Sequence, residues 1–525
     1  MPAFFSRPAS ILWWVLRGVA LPMGLLLAAN TASAWSFGLS DVVAQAKQLA
    51  SQSYEPPPRI PDALSQIDEE TYNRIDLRRR AEPWADLRFA VKPLSAGYVY
   101  DRPVQLYLVT QTAVAPIEFN KNQFDWPSAA FAQMVPANLG FAGFTVRYPL
   151  SSQDAEDQIL TFLGGAQWQM TGAGQVPGAH ARAVAIDTGL PQGEQFPAFT
   201  KFWLVRPEPG DRQMTIYGLL DGQSLTGAYQ FDVRAEDRRV VMHVTATLFP
   251  RKGIDRLGLA PMSSMYFYGQ GGQQPPVGQW RPAVFESDGL LMFTGEGNWV
   301  FRSLRNPTEL RTDEFPADGI RGFGLMQRQN QFCRFEDVIN RYDRRPSLWV
   351  STEAGFGKGK LVLVQIPTNS DAHENQIVFF QSDDPVDPSH PVSFAYTVTA
   401  GNREVADEPL ARVQRPLIGV SRVPGEDKSP RAYRVNLDFS GGKLNGLANT
   451  EPVIANIDTQ QTAKVLEQAV VPLPDSGHWR LSMLLQPTGR ADVTVRASLM
   501  LGKKSLSETW DYRLPSDPSR LGQIK

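Results

Sequence analysis

The sequence predicts an all-β protein, a large N-terminal β-sandwich followed by a smaller immunoglobulin-like one. Three observations carry this reading. Alternation with period two dominates from residue 85 onward: in "RVVMHVTATLF", Val240, Met242, Val244, Ala246 and Leu248 share one face and His243, Thr245 and Thr247 the other. Glycine- and proline-rich turns such as "GQGGQQPP", "GEGN" and "GFGKGK" punctuate short β-branched or aromatic runs, among them "PVQLYLVTQ", "QMTIYGLL" and "KLVLVQI". A chain of 525 residues is also too long for one compact core, so two domains are expected.

Taken in order, residues 1–34 read as a secretory signal. Arg7 and Arg17 make a basic start, an apolar run follows, and Ala32-Ser33-Ala34 is a small-x-small cleavage site. The run is short and broken by Pro22, unlike a spanning helix, and no paired arginines precede it. "SDVVAQAKQLASQ" then spaces Val42, Val43, Ala46 and Leu49 for one helical face behind a Ser/Asp cap, and "PPPRIPDALSQI" breaks it. Residues 35–400 form the expected large sandwich. The polar segment 401–415, "GNREVADEPLARVQR", reads as a linker, and 416–518 as the second sandwich, with Trp510, Tyr512 and Leu514 inward on its last strand. "GFGKGK" reads as a hairpin turn rather than a phosphate loop, because the loop spacing is wrong.

Charge narrows the partners. Without residues 1–34 the chain carries 50 basic against 54 acidic groups, a net of −4. Neither nucleic acid nor an anionic membrane surface is expected to bind such a chain. No later apolar run is long enough to span a membrane. A single cysteine, Cys333, excludes an internal disulfide; between Phe332 and Phe335 it is expected to be a buried hydrophobe. The compartment reads as periplasmic.

No nucleophile elbow, P-loop, zincin motif or CxxC pair is present, and the five histidines are scattered, so no metal or cofactor is expected. What remains is carboxylates among aromatics and arginines. That combination suits carbohydrate: sugar C–H faces pack on aromatic rings, and glycosidic bonds are cut by two carboxyl groups. Two segments stand out. "AVFESDGLLMFTGEGNWVFRSL" (283–304) holds Glu286, Asp288 and Glu296. "VQIPTNSDAHENQIVFF" (364–380) releases a polar loop with Asp371, His373 and Glu374. The stretch 321–350 between them is dense in arginine, phenylalanine and acid.

With "LGFAGFTVRYPL", "GAGQVPGAHARAVAIDT", "FPAFTKFWLVRP", "LGLAPMSSMYFYG", "GEGNWVFRSLRNP" and "LSETWDYRLP", the mature chain resembles the periplasmic glucan biosynthesis proteins of the OpgG/OpgD (MdoG/MdoD) family, the G type more than the D. The resemblance implies a galactose-mutarotase-like sandwich with a cleft, joined to an immunoglobulin-like domain. It implies a β-1,2-glucan oligosaccharide or polysaccharide as partner, and activity as an inverting glucanase or a transglycosylase. It also allows a homodimer. A second reading, a glucan-binding factor with little or no catalysis, stays open beside it.

Carried onto this chain, the family's general-base aspartate falls at Glu286 and its general-acid aspartate, seven residues after the "IPT" proline, at Glu374. Asp288 and Asp371 are the respective fallbacks. Both replacements keep the carboxyl but extend it by one methylene, about 1.5 Å, and a misplacement of about 1 Å can cost 100-fold in rate. The family's "SARGLAID" reads His180 to Asp187 here, and its "GASYFR" has lost an arginine around Trp168. Trp168, His180 and Trp299 are the candidate sugar contacts. Tyr342, Arg334 and Asp337 are expected to line the cleft.

Overall fold

The computed structural model describes residues 37–523 except 270, 426–430 and 475; the expected signal, residues 1–34, lies outside the described residues. Its first element is the helix Leu39–Ala50, which buries Val42 and Ala46. Gly38 rather than a serine caps it, and Asp41 in the first turn accepts the Gly38 N–H at 2.8 Å.

Beyond the short helices near the N-terminus the chain is mostly strand, as period-two patterning requires. A ten-stranded sheet runs from Ala90–Ser95 at one edge through Phe141–Tyr148, His180–Arg182, Leu257–Ser264 and Gln376–Ser382 to Arg311–Pro316. Facing it is a fifteen-stranded sheet with the long strand Arg239–Pro250 near its middle. The alternation expected there is present: Val240, Met242, Val244, Ala246 and Leu248 are wholly buried, while His243 is exposed. One continuous apolar core fills the space between the sheets, with Phe144, Phe162, Trp168, Phe231 and Phe380 among its members.

The C-terminal strands extend the large sheet. Thr509–Leu514 runs parallel to Trp299–Ser303, with Trp510 beside Phe301, and Val493–Leu501 continues outward from it. A separate four-stranded sheet, Arg412–Ser421, Ala432–Ser440, Trp479–Pro487 and Ala463–Pro472, covers this extension. The second core holds Tyr433, Leu437, Met483, Trp510 and Leu514 together with Trp299, Phe301 and Trp349 from the large sheet. Segment 401–415 contains the turn Arg403–Ala406 and opens the strand Arg412–Ser421, with Ala411 and Val413 buried.

Two local expectations are corrected. "GFGKGK" is not a hairpin: Ser347–Ser351 before it and Gly359–Gln365 after it belong to different sheets, so the glycines carry a crossover. Cys333 is exposed in the turn Phe332–Arg334, because Phe335 takes the buried position there. "GEGN", by contrast, does join the antiparallel pair Gly289–Phe293 and Trp299–Ser303, with Glu296 exposed at its tip. No helix among the described residues is long and apolar enough to cross a membrane.

Candidate active site

Three neighbouring backbone segments assemble the centre of the site. His180–Arg182 pairs antiparallel with Leu257–Ser264, and Ser263 stands directly opposite His180. The same strand pairs on its other side with Gln376–Ser382, Ser264 opposite Gln376, so the loop before Gln376 delivers Glu374 to both. Asn375 fixes that delivery: its side chain accepts the Tyr266 N–H at 2.8 Å and donates to the Ile366 carbonyl at 3.0 Å. Glu374 is clamped as a result. Its Oε1 is ion-paired with His180 Nδ1 and its Oε2 accepts the Ser263 hydroxyl.

Glu286 enters from the short strand Val284–Phe285, and its N–H donates to the Met265 carbonyl at 2.9 Å. Arg345 faces its carboxyl at 3.5 Å and lies over the Tyr342 ring at 5.5 Å. From Tyr342 the polar network continues. The phenol donates to Asp371 at 3.3 Å, and Arg281 bridges Asp371 at 2.7 Å and Asp337 at 3.2 Å. Asp337 also caps its own turn, accepting the N–H groups of Ile339 at 3.0 Å and Asn340 at 2.8 Å.

The electrostatics divide the two glutamates. Burial raises the proton affinity of Glu286, and the charge of Glu374 adds to that, against Arg345 and His180. Burial acts on Glu374 in the same sense, but the charge and hydrogen bond of His180, with Ser263 and Arg182, outweigh it and hold the carboxyl below its ordinary range. Burial lowers His180, and the opposed charges of Glu374 and Glu286 overcome this and raise it. His180 therefore feels the charge of both carboxylates, while its direct pair is with Glu374. Tyr342 is pushed up by burial and by Asp371.

Glu374 also borders a groove of about 460 Å³, walled by Tyr100, Gln167, Arg182, Glu194 and Phe196. Arg182 pairs with Glu194 and lies over the ring of Phe196, which is 72% exposed. Flat exposed aromatics beside charged hydrogen-bonding groups suit a sugar ring.

The structure thus forms two polar clusters, Glu374 with His180 and Ser263, and Glu286 through Arg345 with Tyr342, Asp371 and Asp337, and places the other candidates elsewhere. Trp168 is 1% exposed and packs on Phe162 and Phe231, because alternation along Gln167–Met170 turns it inward and leaves Gln167 on the groove. Trp299 is stacked between Phe293 and Trp349 in the second core. Neither touches the groove. Asp288 is buried at the start of Gly289–Phe293, its N–H donating to the Met326 carbonyl at 2.8 Å. Arg334 lines a different cavity, with Phe285 and Cys333 in its wall.

Sequence reasoning did not single out Ser263, Arg281, Arg345 or Phe196. Ser263 belongs to the family-like stretch "LGLAPMSSMYFYG", but its role depends on cross-strand register, which one strand does not reveal.

Residues 37–514 match the family described as "Periplasmic glucan biosynthesis protein, MdoG". The chain belongs to this family. Among curated MdoG relatives, "Glucans biosynthesis protein G" of Pseudomonas paraeruginosa is 36% identical over 509 residues, 94% of this chain and 97% of the relative. The protein of the same name from Pseudomonas aeruginosa matches equally, at 36% over 509 residues. Among solved structures, the GH36 α-galactosidase AgaB of Geobacillus stearothermophilus aligns at a TM-score of 0.24 and 10% identity, over 64% of this chain and 41% of that one. A likeness that weak carries no argument about fold or function.

Proposed function

We propose that this MdoG-family chain acts in the periplasm on the β-1,2-glucan backbone, as an inverting glucanase or transglycosylase, with Glu374 as proton donor and Glu286 as base. The observation that supports this reading is Glu374, paired with His180, at the border of a groove with exposed aromatic and charged walls, with Glu286 close enough to His180 for its charge to act there.

In this reading His180 and Glu374 hold one proton between them. With the groove open to water the imidazolium–carboxylate form is favoured. A sugar that displaces water makes separated charges more costly and favours the neutral pair, with the proton on Glu374. That proton passes to the glycosidic oxygen as the bond to the anomeric carbon breaks. Glu286, raised by burial against the opposing charge of Arg345, is in its ionised form a stronger base than an ordinary carboxylate. It takes a proton from water in hydrolysis, or from a sugar hydroxyl in transfer, as that oxygen attacks from the opposite face.

A second reading, a glucan-binding factor without turnover, is favoured by one observation: both Glu374 oxygens are already engaged, by His180 and Ser263. Incubation with linear β-1,2-glucan separates the two. Shortened or cyclised products from the wild type, lost in Glu286→Gln and Glu374→Gln, support the enzyme. Binding without new products supports the carrier, and full turnover by both variants rejects the site.

A further inference from the structure

A second polar cavity, of about 60 Å³, lies where the large sheet meets the C-terminal tail. Its volume is roughly that of two waters, too small for a sugar ring. Arg305, Arg311, Arg513 and Arg520 line it, and Asp492 is the one carboxylate in the lining among the described residues. Asp492 is shared, at 2.5 Å from Arg311 and 3.7 Å from Arg305. Arg513 pairs with Asp313 at 2.9 Å, which Arg302 also engages. Asp517, near Arg520, is occupied by the N–H and hydroxyl of Ser519 at 3.0 and 2.8 Å.

Positive charge is therefore in excess among these side chains, of which Arg305 is buried and Arg520 exposed. Arg305 shows the consequence: it is 9% exposed, and its Nε has no hydrogen-bond partner among the described residues. Burial, with the charges of Arg311 and Arg302, pulls its guanidinium down to about 10. A buried guanidinium with a missing partner and like-charged neighbours is the local chemistry an anion completes.

We propose that this cavity binds a single tetrahedral oxyanion, phosphate either free or as the end of a monoester, through Arg305, Arg311 and Arg520. The site is independent of the proposed glucan chemistry, but it shares an anchor with the candidate active site. The Arg305 carbonyl accepts from Gln365 and Gln376, each at 3.1 Å. The Asn306 side chain donates to the Thr368 carbonyl at 2.7 Å and accepts its N–H at 3.0 Å. Thr368 opens the loop that carries Asp371 and Glu374, so an anion that orders Arg305 also steadies that loop.

The test is titration of the purified protein with inorganic phosphate at fixed ionic strength, followed by calorimetry and thermal unfolding. Glucose 6-phosphate serves as the monoester and glucose as the neutral control. Phosphate is expected to bind and raise the Tm, while glucose does not. Arg305→Gln and the exposed Arg520→Gln are each expected to weaken binding roughly tenfold or more, as loss of a charged hydrogen bond does. Binding by glucose 6-phosphate identifies a monoester site, and its exclusion a free-ion site. No phosphate effect beyond that of chloride, or an effect unchanged in both variants, overturns the proposal. Turnover of neutral glucan plays no part in the readout, so its outcome stands apart from the proposed activity.

Discussion

His180 and Glu374 form an ion pair across the candidate active site, and each moves the other's protonation in the direction that preserves it. Glu374, lowered in the folded state, contributes stability that is present above the ordinary carboxylate range and lost as pH falls through its depressed pKa. His180, raised, contributes stability that is full below the ordinary imidazole range and lost as pH rises through its elevated pKa. The pair is therefore intact across the interval between the two, which includes mildly acidic pH.

The pH profile of kcat/KM should carry this signature. If the dyad holds the donated proton, activity falls on the alkaline side as His180 titrates, above the ordinary histidine range. His180→Ala should lower activity roughly 100-fold and move the alkaline limb to lower pH, toward titration of the carboxyl alone. An unchanged limb in that variant would show that His180 is only a structural neighbour.

Phe196 and Trp168 should behave oppositely. Phe196 is exposed on the groove wall, so Phe196→Ala should leave the midpoint of denaturation nearly unchanged while weakening glucan binding roughly tenfold, as loss of a stacking ring does. Trp168 is enclosed by Phe162 and Phe231, so Trp168→Ala should cost about 3–5 kcal/mol of stability through the cavity it leaves. Paired urea melts and binding isotherms check both.

These two residues also show what the sequence made legible. Alternation identified the strands, and with them the inward faces of Arg239–Pro250 and Thr509–Leu514. Yet parity within a four-residue strand such as Gln167–Met170 depends on where that strand starts, and an aromatic residue looks equally suited to a core or a sugar. The same limit hid Ser263, whose place opposite His180 is a matter of register between strands about 80 residues apart in sequence. The parallel pairing of Thr509–Leu514 with Trp299–Ser303 leaves no local mark either, since both strands read simply as half-buried runs. Carboxylates near turns were visible as chemistry, but their cationic partners, Arg345 and Arg281, were hidden among many arginines.

The segment 401–415 is tied to the large sheet by a buried charge cluster, and this sets a second pH dependence. Arg328 donates to Glu508 at 2.7 and 2.8 Å, approaches Glu408 at 3.4 Å and lies 3.6 Å over the Phe301 ring. Burial, together with the charge of Glu508, pushes Glu408 up to about 9 from 4.5. The folded state thus holds an extra proton through that interval, so this group's contribution falls as pH rises from the ordinary carboxylate range toward 9. Denaturant melts should show stability declining over that range, with a flatter slope in Glu408→Gln. Arg328→Met should cost about 3–5 kcal/mol by leaving the buried Glu508 carboxylate without its cation.

The longer acid and the histidine should prove to be one change rather than two. At positions 374 and 180 this chain carries glutamate and histidine, where the family resemblance implies aspartate and serine, and here the two side chains meet. Glu374→Asp withdraws the carboxyl by about 1.5 Å, breaking its contacts with His180 and Ser263, and turnover should fall roughly 100-fold. His180→Ser alone leaves Glu374 without its cation and should also lose activity. The double variant restores the family's pairing and should recover much of the loss, giving a coupling of about 0.5–3 kcal/mol between the sites. Rates on one β-1,2-glucan substrate for the four proteins measure that coupling directly, and simple additivity would mean the two positions changed independently.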